Sequence, residues 1–169
     1  MIVNIDDLWD VGADAYKSKK ETSGTFTVVS KGFGTYIVLD KAFKGTVKDV
    51  DIPDTGNTWH THPRECPNNN NCSILPTSGT DMSIYAERWS ENHLVLSRKR
   101  IYYVQAHFQF TKEDSDDILD FYSVLEKWFD KTDKSHAHFD ELFILSNKLT
   151  KWFTVYQFDN PEYDSFASR

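Results

Sequence analysis

Trp59-His60-Thr61-His62-Pro63 is the stretch from which the rest of the chain can be read. Successive side chains of a strand point to opposite faces, so His60 and His62 share one face. Two imidazoles one strand repeat apart, ~6–7 Å, can hold a single metal ion between them. The histidine strand is expected over residues 57–62, reached through a loop holding Gly45, Pro53 and Gly56.

Upstream, residues 4–16 read as an amphipathic helix with Ile5, Leu8, Trp9, Ala13 and Tyr16 on one face and Asn4 as its cap. Strands are expected at residues 25–29 and 35–39, with Lys31-Gly32-Phe33-Gly34 turning between them. Downstream, a polar loop over residues 64–77 carries Cys66, four consecutive asparagines and Cys72. A helix is expected over residues 79–90, then strands over residues 93–97 and 100–110. The last third reads as helical. Ile118, Phe121, Tyr122, Leu125, Trp128 and Phe129 recur at helical spacing, with a cap within residues 111–114. A second helix is expected to place Phe139, Leu142, Phe143, Leu149, Trp152 and Phe153 on one face. Interleaved strands and helices predict an α/β or α+β domain, with a core over residues 1–110 and a helical C-terminal extension over 111–169 packed on it.

The chain has 169 residues, long enough to bury a core, with twelve Phe, eight Tyr and five Trp to fill it. A net charge of −7 and the lack of a strongly basic run disfavour nucleic-acid binding through phosphates. No apolar stretch approaches the ~20 residues that span a bilayer, so membrane insertion is not expected. The acidic start, Met1-Ile2-Val3-Asn4-Ile5-Asp6-Asp7, has no signal-peptide pattern, and an intracellular, cytoplasmic location follows as the expectation. Two cysteines imply no disulfide framework.

A catalytic zinc site usually has three protein ligands and an open position for water. Asp81, in Ser78-Gly79-Thr80-Asp81, can complete a His60/His62/Asp81 set. A carboxylate must still move the proton of that water. Glu21 is the candidate, in Glu21-Thr22-Ser23-Gly24 just before a strand, where Gly24 lets a backbone or a substrate approach closely. Each residue also has a plainer reading. Ser78 and Asp81 fit a helix capping box, Glu21 continues a charged stretch with Lys17, Lys19 and Lys20, and the histidines fit the polar face of a strand.

Together, Glu21, His60-Thr61-His62-Pro63 and Ser78-Gly79-Thr80-Asp81 resemble the pattern of the JAMM (MPN+) metallopeptidases: an early glutamate, then His-x-His-Pro, then Ser-x-x-Asp. Glu21-Thr22-Ser23-Gly24 and the Trp before the first histidine are similar to the deubiquitinating members. The resemblance covers roughly residues 1–110. It implies a β-sheet flanked by helices, Zn2+ on His60, His62 and Asp81, and Glu21 as general base. It further implies that Ser78 stabilises the oxyanion. The implied substrate is a peptide or a ubiquitin-like protein.

The sequence departs from the pattern in placing fifteen residues between His62 and Ser78, more than the family's short gap. The excess is the Cys66–Cys72 loop, which would border the metal. A longer loop also resembles JAMM-type proteins of large DNA viruses. The alternative to an enzyme is a structural or interaction protein on the same fold, such as a virion component, with assembly partners on the C-terminal helices. Cys66 and Cys72 read as free thiols, and His136-Ala137-His138 as a solvated linker. His93 and His107 read as satisfied core histidines.

Overall fold

The structure is a computed structural model that describes residues 2–3, 5–46, 50–53, 56–63, 82, 84, 90–132, 145, 147–148 and 150–162. Among the described residues seven strands form one mixed sheet: β1 (Ile2–Val3), β2 (Thr22–Lys31), β3 (Gly34–Lys44), β4 (Gly56–Thr61), β5 (Ser90–Leu96), β6 (Arg100–Ala106) and β7 (Phe153–Asp159). Their spatial order is β1-β3-β2-β4-β5-β6-β7. β4 and β5 pair in parallel, and the other neighbours among the described strands are antiparallel. Among the described residues the long helices α1 (Ile5–Ser18) and α2 (Lys112–Thr132) accompany the sheet. The domain is mixed α/β, as the interleaved pattern predicts. No helix among the described residues is long and apolar enough to cross a membrane.

Among the described residues the sheet carries a core on each face. On one face Leu8 of α1 packs with Phe26, Trp59, Leu94, Leu96 and Ile101. On the other, Ile118 and Tyr122 of α2 pack with Ile52, Met82, Val95, Tyr102, Val104, Phe153 and Val155. Strand alternation explains the division. Leu94 and Leu96 face α1, whereas His93 and Val95 face α2. In β4, Trp59 faces α1, and Thr58 and His60 face α2. Thr58 through Thr61 are all buried, as expected of a strand covered on both faces and paired in parallel.

Several local expectations change. The stretch that includes Trp152 and Phe153 is expected to continue a helix, but Phe153 opens β7. Aromatic spacing fits a helix there, yet Phe153-Thr154-Val155-Tyr156 is rich in β-branched and aromatic residues, and β6 offers it an edge from Arg100↔Asp159 to Ala106↔Phe153. The expected helix over 79–90 yields at Ser90, where β5 begins, although Met82 and Ile84 are helical. The strand expected over residues 100–110 stops at Ala106. The buried residues of α1 include Leu8, Gly12 and Ala15, whereas Ala13 is half-buried. A Cβ on Gly12 would lie 2.3 Å from the Ser97 carbonyl carbon, so the helix backbone rests directly on the end of β5. Asn4 and residues 133–144, which include Phe139, Leu142, Phe143, His136 and His138, lie outside the described residues, as does Leu149.

Gly24 meets a similar constraint. A Cβ there would lie 1.7 Å from the Asp40 carbonyl oxygen and 2.9 Å from the Trp59 indole nitrogen. The β2–β3 register shifts between Ser23 and Gly24, leaving Ala42 as the extra residue of a bulge. What approaches Gly24 is therefore this chain's own backbone and indole. The indole N–H donates to the Thr25 carbonyl at 3.0 Å. At the start of α2, Thr111 and Asp114 form the expected cap: the Thr111 N–H donates to the Asp114 carboxylate at 3.0 Å and the Asp114 N–H to the Thr111 hydroxyl at 3.1 Å. The Thr111 backbone hydrogen bond, followed by its hydroxyl, holds Asp114 below the usual carboxylate pKa.

Two stability predictions follow from these contacts. Gly24→Ala should destabilise by the upper range of overpacking costs, about 3 kcal/mol, in denaturant unfolding. Thr111→Ala should cost about 1 kcal/mol at neutral pH. Because Asp114 has a depressed pKa when folded, its contribution is complete above the ordinary carboxylate pKa and is lost as pH falls through the folded value. The difference between wild type and Thr111→Ala should therefore shrink in acid, as read from unfolding curves at several pH values.

Candidate metal centre

β4 is held on both sides. Ser23↔His60 and Thr25↔Thr58 pair it to β2, and Thr58↔His93 and His60↔Val95 pair it to β5. Beyond the β2 ladder the Thr22 N–H donates to the Thr61 hydroxyl at 2.9 Å. Beyond the β5 ladder the His62 N–H donates to the Leu96 carbonyl at 2.9 Å. The backbone carrying both histidines is thus fixed before any side chain is considered.

The side chains converge. His60 Nε2 and His62 Nε2 lie 2.8 Å apart, with ring centroids 4.7 Å apart and planes at 60°. His60 is 2% exposed, and His62 is half-buried. Two imidazole nitrogens on one tetrahedral zinc, each ~2.0–2.1 Å from it, sit about 3.3 Å apart. The pair as found is closed to hydrogen-bond distance, and opening it by about half an ångström reaches zinc spacing. The donor atoms and their convergence therefore fit a metal ion of the kind imidazole prefers.

Glu21 immediately precedes β2 and is 8% exposed. Its N–H donates to the Thr46 carbonyl at 2.7 Å, and its carbonyl accepts from the Gly45 N–H at 2.9 Å. Opposed residues of an antiparallel pair share a face, so Ser23 and His60 point the same way. Two residues earlier, Glu21 shares that face by alternation. Ser78 and Asp81, with Cys66 and Cys72, lie outside the described residues. Among the described residues no three His, Cys, Asp or Glu side chains group as a complete metal site.

Behind His60 lies a partner that the sequence pattern does not assign to the site. His93 Nε2 is 2.7 Å from His60 Nδ1, and His93 Nδ1 is 2.6 Å from the Thr58 hydroxyl. His93 is fully buried, as a core histidine should be, and its contacts run straight to the candidate ligand. Burial first, then the charges of His60 and His62, hold its pKa well below the ordinary histidine value. His107 differs from the expectation of a core residue. It is exposed, with Nδ1 2.8 Å from the Lys151 carbonyl and Nε2 2.5 Å from the Thr154 hydroxyl.

No protein-family model, curated protein or solved structure matches this chain.

The buried neutral His93 has a signature in stability. The unfolded chain binds a proton on this residue at ~6.5, the ordinary histidine pKa, whereas the folded protein does so only at lower pH. Between these two values the unfolded state holds more protons, so stability rises with pH across that window and falls on acidification. Metal-free protein followed by urea unfolding from pH 7.5 downwards should lose stability below about 6.5. His93→Gln should flatten that slope.

Proposed function

We propose that this protein is a zinc-dependent peptidase or isopeptidase of the JAMM type, acting inside a cell on a peptide or a ubiquitin-like modifier. The observation that carries the reading is the convergence of His60 Nε2 and His62 Nε2 to 2.8 Å on the sheet face that Glu21 shares. A mixed sheet with helices packed on it is the scaffold this reading requires. Met82, next in sequence to Asp81, is fully buried on the same face.

In this reading His60, His62 and Asp81 hold the metal. Zinc bound there supplies Lewis acidity, polarising the scissile carbonyl and lowering the pKa of water to about 7. The Glu21 carboxylate accepts a proton from the attacking water and delivers it to the departing amine. Its fixed backbone means little reorganisation is needed for that transfer. The Ser78 hydroxyl donates a hydrogen bond to the oxygen on which negative charge develops. Thr61, clamped to Thr22 on the opposite face, keeps the two histidines in register.

The test combines metal content with turnover. Purified protein should hold one zinc per chain and cleave a member of a panel of ubiquitin-like isopeptide conjugates and short peptides, and phenanthroline should abolish cleavage. Glu21→Gln should keep the zinc and lower kcat by ~10²–10⁴-fold, the usual span for a general acid–base group. Full turnover in Glu21→Gln would falsify the assignment of the base. Failure of the wild type to bind zinc would remove the metal reading altogether.

A further inference from the structure

Four side chains line up along one face of the sheet: Thr58 Oγ1, His93, His60 and His62, joined by contacts of 2.6, 2.7 and 2.8 Å. Each neutral imidazole has one N–H and one bare nitrogen, so the hydrogens along such a line must all point one way. In the first arrangement Thr58 donates to His93, His93 Nε2–H to His60 Nδ1, and His60 Nε2–H to His62. In the second the order reverses: His62 donates to His60 Nε2, His60 Nδ1–H to His93 Nε2, and His93 Nδ1–H to Thr58 Oγ1.

A metal ion accepts only the second arrangement inward of His60. A ligand nitrogen must be bare, so Nε2 of His60 gives up its hydrogen and the ring carries Nδ1–H. That hydrogen points at His93 Nε2, 2.7 Å away, which must then be bare in turn. His93 consequently carries Nδ1–H, directed at Thr58 Oγ1. We propose that His93 and Thr58 are positioning residues that stabilise the Nδ1–H form of His60 by accepting along this line and hold its Nε2 toward the metal. The inference rests on His60 being a metal ligand.

Sheet geometry makes this support rigid. Thr58 and His93 are paired residues of the parallel β4–β5 ladder, and His60 lies one strand repeat beyond Thr58. Thr58 and His93 are fully buried, so water does not compete for these contacts. Metal-bound histidines ordinarily give their second N–H to a carboxylate, a carbonyl or water. Here the acceptor is another imidazole, which can accept only while it is neutral, and the Thr58 hydroxyl accepts its Nδ1–H once the metal sets the direction of the line.

The experiment uses the full chain and zinc ion as the probe. Zinc affinity is read by competition with a chromophoric chelator, and tautomers by ¹⁵N-histidine NMR of the zinc-loaded wild type. Both His60 and His93 should show protonated Nδ1 and bare Nε2. His93→Phe and Thr58→Val should weaken zinc by about 10–100-fold, the usual cost of losing such outer support, and Thr58→Ser should restore wild-type affinity. If the wild type binds zinc but His93 carries its hydrogen on Nε2, the proposal is overturned. Wild-type affinity in His93→Phe overturns it equally. A wild type that binds no zinc overturns the metal site itself, which separates the two failures. The tautomer measurement needs no variant, so it decides the matter even where His93→Phe does not fold.

Discussion

The parallel pairing of β4 with β5 sets most of what matters in this molecule. Among the described residues it is the only parallel contact in the sheet, and both strands are covered on both faces. Such strands are usually continuous apolar runs. Here the α2-facing side of the pair carries Thr58, His60 and His93, each no more than 2% exposed. Buried polar atoms without partners cost several kcal/mol, roughly 2–7 each by transfer measurements. The register removes that cost by laying the three side chains against one another. Shifting β5 by one residue would turn His93 toward α1 and take its Nε2 away from His60 Nδ1.

The opposite face does the complementary work. Trp59 and Leu94 pack there with Leu8 of α1, and Gly24 allows the Asp40 backbone and the Trp59 indole to close on β2. Every residue of β4 from Thr58 to Thr61 is consequently immobilised on one face or the other. A pair of metal ligands benefits from this, because geometry held by the scaffold does not have to be recovered when the ion arrives.

How much of this could be read in advance depended on the range of the contact. His60 and His62 are legible because alternation at a spacing of two survives any choice of neighbours. The cap of α2 is legible for a similar reason: Thr111 and Asp114 are three residues apart. His93 lies 33 residues from His60, and its burial can be guessed from apolar flanks. Its partner depends on which strands lie side by side and in which register, and local pattern does not carry that. Gly12 misleads in the other direction. Inside a helix it reads only as a weak point, whereas Ser97, brought against it by the sheet, excludes a side chain. At Phe153 two periodicities overlap, and the free edge of β6 decides between them.

Pro63 is buried directly after the histidines, and Met82 is fully buried in the α2-side core. Between the two cores lies the histidine strand, with Trp59 turned to the α1 side and His60 to the α2 side. A substitution that changes the volume of either core therefore reaches the candidate ligands through the backbone they share. The packing that aims the histidines makes their strand the part of the molecule least tolerant of change.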